Sequence, residues 1–79
     1  MAEIIKKAYF TKGRRYYILL LKQDLSGEWV IIKRHGVKKT DQINMVSEKF
    51  SSYEKALAHY NAMRLFRITA CHYQCISEN

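Results

Sequence analysis

Six consecutive apolar side chains, Tyr16-Tyr17-Ile18-Leu19-Leu20-Leu21, sit between Arg14 and Arg15 on one side and Lys22 on the other. The run is far short of the roughly 20 apolar residues of a membrane span, and it fits a buried strand. Successive strand side chains point to opposite faces, so a half-exposed strand would alternate apolar with polar residues. Here both faces are apolar. The run therefore predicts the middle of a sheet with cover on each side.

A chain of 79 residues has room for one core, since a domain this short buries only about 60% of its unfolded surface. A single domain spanning 1–79 is expected. The apolar fraction of 48% and the lack of proline set the chain apart from disordered segments, so it should fold. Met1 to Lys7 is broken by Glu3, Lys6 and Lys7, and no apolar core of a secretion signal follows. An intracellular location with no membrane partner is the expectation.

Turn signals divide the N-terminal half into strands. Glu3 to Phe10 ends at Thr11-Lys12-Gly13, Tyr16 to Lys22 ends at Asp24-Leu25-Ser26-Gly27, and Glu28 to His35 follows. A polar loop from Gly36 to Gln42 leads to a fourth strand at about Ile43 to Phe50. Ser51 with Glu54 three residues on reads as a capping box. From Ser52 to about Ile68 no glycine intervenes, and Tyr53, Ala56, Leu57, Tyr60, Met63 and Phe66 recur at helical spacing. Arg64 and Arg67 fall in the last turns, where they offset the helix dipole. A short strand at about His72 to Ile76 rejoins the sheet. The pattern predicts an α+β domain, an antiparallel four- to five-stranded sheet with one long helix on one face.

Few residues invite chemistry. Cys71, His72 and Cys75 are close enough in sequence to suggest zinc, but a structural site needs four ligands, and on a strand His72 points away from both cysteines. Two reduced thiols without metal are expected, and no cofactor. The acidic residues fall mostly in turns, caps and termini, and no pair stands out as general acid and base. The reading is a binding module and not an enzyme.

Fourteen Lys and Arg against seven Asp and Glu give a net charge of +7, which favours an acidic partner. Lys33, Arg34, His35, Lys38 and Lys39 crowd one strand end and its loop, and Lys12, Arg14 and Arg15 form a second cluster that a neighbouring strand end can bring near the first. Such density suits phosphate oxygens.

From Tyr17 onward the order of landmarks resembles the WGR domain, a small module of poly(ADP-ribose) polymerases and bacterial proteins. Tyr17-Ile18-Leu19-Leu20-Leu21 resembles its first aromatic-led strand, and Asp24 to Trp29 its hairpin. Lys33-Arg34-His35-Gly36 falls where the Trp-Gly-Arg motif belongs, and Gln42 resembles the glutamine after the family's glycine loop. Phe50-Ser51-Ser52-Tyr53-Glu54-Lys55-Ala56 is similar to its helix start, and Tyr73 to its terminal tyrosine. The motif itself departs: His35 replaces Trp, Gly36 is kept, and Val37 replaces Arg. The resemblance implies the fold and, in relatives that bind DNA breaks, a Trp packed on a terminal sugar with an Arg at the backbone. It favours DNA over RNA as partner. Imidazole can still stack, but valine cannot donate to a phosphate.

The expectation is a non-catalytic nucleic-acid-binding module that contacts the phosphate backbone through Lys33, Arg34, His35, Lys38, Lys39, Lys12, Arg14 and Arg15. The alternative is a protein-interaction domain or homodimer, motivated by the apolar residues on both faces of Tyr16 to Leu21.

Overall fold

The computed structural model describes residues 3–40 and 43–78. Five strands and one helix follow in the order β1 (Glu3–Lys12), β2 (Arg15–Gln23), β3 (Trp29–Val37), β4 (Ile43–Phe50), α1 (Tyr53–Thr69) and β5 (Gln74–Glu78). Every strand pairing is antiparallel, and the strand order across the sheet is β4-β3-β2-β1-β5. The expected α+β fold is thus present, with the Tyr16 to Leu21 run on the central strand. Asp41 and Gln42, at the end of the expected polar loop, lie outside the described residues.

Register sorts the side chains into two faces. Phe10 opposes Tyr17, which opposes His35, and Leu21 opposes Ile31, so these residues share the face on which α1 lies. That inner face holds most of the core: Ala8, Phe10, Leu19, Leu21 and Ile31 have no exposed area, and Tyr17 retains 1%. The helix contributes Ala56 and Tyr60, one turn apart, with Ala56 small enough to bring the backbone close. Burial of Tyr60 pushes its phenol up to about 12, with the nearby Glu78 carboxylate acting in the same direction. Trp29 against Tyr53 (ring centroids 4.9 Å) and Phe50 against His59 (5.1 Å) seat the first half of the helix.

Three sequence-based boundaries need correction. The N-cap is Ser52, whose Oγ accepts from the Lys55 N–H at 3.2 Å, so the Ser51 and Glu54 frame is one residue early. The helical stripe turns away from Phe66, which is 49% exposed, because the buried line runs through Ala56, Tyr60 and on to the half-buried Arg67. The last strand begins at Gln74, two residues late, after His72 at φ 59 turns the chain. Cys71 is therefore in the turn before β5, and only Cys75 is on a strand.

Arg64 ties the helix to the last strand, its Nε donating to both carboxylate oxygens of Glu78, at 2.9 Å to Oε1. The guanidinium holds the Glu78 carboxyl below its ordinary range.

Candidate functional site

The β1–β2 and β3–β4 connections meet at one end of the sheet. Gly13, at φ +59, and Arg14 make a two-residue turn between Lys12 and Arg15, a geometry that glycine adopts at no steric cost. Arg15 pairs with Val37, and the Lys38 N–H continues the ladder by donating to the Arg14 carbonyl at 2.7 Å. Beyond it the chain folds back: the Thr40 N–H and hydroxyl donate to the Val37 carbonyl at 3.3 and 2.8 Å, and Lys39 takes φ 66. Arg14, Lys38 and Lys39 then line a recess of about 310 Å³.

A second recess, of about 370 Å³, opens on the inner face beside the first, lined by Arg15, His35, Asn44, Arg67 and Tyr73 along the Gly36–Val37 backbone. Its floor is aromatic. The His35 ring stacks on Tyr17 at 6.0 Å with 14° between planes, and Tyr73 meets the Tyr17 ring edge-on at 6.3 Å. The Arg67 Cζ lies 3.9 Å above the Tyr17 ring centroid, a cation–π contact worth about 0.5–2 kcal/mol where water is partly excluded. Burial pushes the Tyr17 phenol up, and the Arg67 charge opposes this in part. The Arg67 Nη1 lies 3.8 Å from Cys71 Sγ, while its Nε is buried without a hydrogen-bond partner. Among the described residues no Asp or Glu lines either recess. The arrangement offers guanidinium and ammonium donors beside a stacking surface, which suits an anionic ligand carrying a ring.

The eight residues singled out by sequence separate into groups. Arg14, Arg15, His35, Lys38 and Lys39 come together around the two recesses. Lys12 is nearby, with its Nζ donating to the Cys71 carbonyl at 2.8 Å. Lys33 is engaged elsewhere: it is on the inner face, 14% exposed, and bonded to Glu48 at 2.6 Å. Arg34 opposes Ile18 and Met45 and so projects from the outer face, away from His35. Strand alternation makes this separation unavoidable for consecutive residues.

Arg67 and Asn44 escape the sequence reading as site residues. Arg67 follows Tyr60 by seven residues and Ala56 by eleven, two and three helical turns, so a cation on the buried stripe is the available signal. Asn44 offers none, since it enters only through its register opposite His35.

Asp24, Glu48 and Glu78 are occupied by structural contacts. Asp24 accepts from the Ser26 hydroxyl at 2.7 Å and from the Ser26 and Glu28 N–H groups at 3.0 Å each, which holds it below its ordinary range. Glu48 is held low chiefly by its hydrogen bond from Lys33, and it lies 3.7 Å from His59 Nε2. Cys71 and Cys75 are free thiols, and burial pushes the Cys75 thiol up. Among the described residues no three His, Cys, Asp or Glu side chains gather into a metal-holding group, and no helix is long and apolar enough to cross a membrane. Comparison with known protein families, curated proteins and solved structures finds no match to this chain.

Proposed function

We propose that this protein is a non-catalytic nucleic-acid-binding module that grips the phosphate backbone with the cationic end of its sheet. The observation that carries the reading is the meeting of Arg14 and Arg15 with Lys38 and Lys39, two segments far apart in sequence, around recesses without a carboxylate lining among the described residues. Cations gathered only for solubility need not converge, whereas backbone phosphates reward convergence through counterion release. The resemblance of Lys33 to Val37 to the WGR motif region points to the same end of the molecule. Arg67 extends the set, and His35 supplies a ring for a sugar or base to pack on.

A salt titration against blunt duplex DNA, single-stranded DNA and RNA tests this. Four neutralised phosphates give a slope of log K against log salt near −3.6 for duplex, and Lys38→Glu with Lys39→Glu flattens it by about 2. His35→Ala weakens binding by about 1–3 kcal/mol with little change of slope. A flat titration for all three nucleic acids sinks the reading. So does a Lys38/Lys39 reversal that leaves affinity intact while Lys55→Glu abolishes it.

A further inference from the structure

The outer face of the sheet is uncovered by any described element, and its side chains form a pattern distinct from the sheet end. Ile18, Leu20 and Ile32 make an apolar centre on β2 and β3, each half-buried by its neighbours. A bulge at Ile5 resets the phase of β1, so that Lys7 stands directly beside Leu20 on this face. Lys22 and Lys49 flank Val30, and Arg34 stands beside Ile18. Four cations on four adjacent strands thus frame one apolar patch. No outward position paired in the described ladders of β1 to β4 carries Asp or Glu. Asp24, in the β2–β3 turn, approaches the frame only at its edge, 3.8 Å from Lys49.

We infer that this outer face docks an acidic amphipathic helix of a partner protein, with apolar side chains of the helix over Ile18, Leu20 and Ile32 and its carboxylates beside Lys7, Lys22, Arg34 and Lys49. The inner face shows that this sheet accepts a helix on Leu19 and Leu21, and β2 carries the same residue types outward. Lys7 and Arg34 are two strands apart, about 10 Å laterally, which matches the diameter of a helix lying between them. A second copy of this chain is a poor occupant, because a two-fold dimer sets this cation frame against itself without a carboxylate in the patch. Bases of a single strand need aromatic platforms, and the centre is aliphatic, with only Tyr9 and Tyr16 toward the sheet end. Val30, 6% exposed, sits beneath the longer Lys22 and Lys49. The protruding apolar side chains of this face, Ile4 on β1 and Ile43 and Met45 on the edge strand β4, lie outside the cation frame, so a bilayer that used them is told apart by the vesicle arm of the test. Charge complementarity selects an acidic partner, and the recessed aliphatic centre selects a ridge of side chains such as a helix presents.

The test uses synthetic helical peptides of about 18 residues, five turns, rich in Glu, with Leu at i, i+3, i+4 and i+7. Amide shifts of the full chain should move at Ile18, Leu20 and Ile32, and the peptide should bind at least about tenfold tighter than one of identical composition with scrambled leucines. Lys7→Glu with Arg34→Glu should remove at least about tenfold of that affinity. Both residues are exposed, so the fold is expected to tolerate the change. Equal binding of the scrambled peptide overturns the inference by leaving charge alone, and so does a response confined to other residues. It is equally overturned if sedimentation gives a dimer whose interface protects Ile18 and Leu20, or if phosphatidylserine vesicles perturb this face more strongly than the peptide. Lys7 and Arg34 line neither sheet-end recess, so a duplex titration of the same variant reports on the nucleic-acid reading separately.

Discussion

The two faces of β2 carry matching side chains with different fates. On one, Tyr17, Leu19 and Leu21 are exposed by 1% or less; on the other, Tyr16, Ile18 and Leu20 are only half-buried. The backbone treats both alike, since each residue sits in the same ladder between β1 and β3. The difference is α1, which covers the first face and supplies Ala56 and Tyr60 to it. An apolar strand therefore reports a capacity for burial, and the layers available decide whether that capacity is used. Among the described residues one helix completes one face, and the other is a surface framed by cations.

The largest expected effect separates the faces directly. Leu19→Ala should destabilise the protein by about 2–5 kcal/mol, because it opens a cavity under the helix where nothing can collapse freely. Leu20→Ala, one residue away, should cost about 1 kcal/mol, since part of its surface already meets water. Urea unfolding of the two variants measures the gap. Equal losses would break the comparison and mean that the outer face is covered in solution.

Much of this contrast is legible in the amino-acid sequence. The unbroken apolar run places β2 at the centre, and the turn residues Gly13 and Asp24 to Gly27 locate its ends, because these are local properties of the chain. The alternation of Lys33, Arg34 and His35 is legible too, although grouping them as one cluster ignores that consecutive strand residues face opposite ways. Register is not. Only pairing in space sets Arg15 against Val37, Asn44 against His35 and Lys33 beside Glu48, so the charge cluster can be counted along the chain but not partitioned. The Arg67 position is hidden for another reason. A cation in a last helical turn has a sufficient local explanation in the dipole, and this conceals its place over Tyr17.

The helix that makes the two faces unequal can be weakened at its cap. Ser52→Ala removes the acceptor for the Lys55 N–H and should cost about 0.5–2 kcal/mol, while Ser51→Ala should stay within about 0.5 kcal/mol. Thermal unfolding of both variants distinguishes them, and a larger loss at Ser51 would make that residue the cap instead. If the inner face depends on α1 as described, amide exchange in Ser52→Ala should rise first in the helix, with the β2–β3 ladder still protected.

The smallest effect compares Lys33 and Arg34, neighbours on β3 that serve opposite faces. Lys33 hydrogen-bonds Glu48 at 2.6 Å and holds that carboxyl below its ordinary value of 4.5. A carboxylate whose folded pKa is depressed contributes stability that is present above its unfolded pKa and is lost as pH falls through the folded one. The contribution of this pair should therefore be whole at pH 6 and fade below about pH 4.5. Lys33→Met removes the hydrogen bond, so its deficit against the parent, less than about 1 kcal/mol for a pair with one half-exposed member, should be largest at pH 6 and shrink toward pH 3. Arg34→Met takes a cation from the face opposite Glu48, and its small difference from the parent should show no such closing. Urea midpoints for the three proteins at several pH values between 3 and 6 decide the matter. A Lys33→Met deficit that persists unchanged at pH 3 would show that the lysine acts through packing of its methylene stem and not through Glu48.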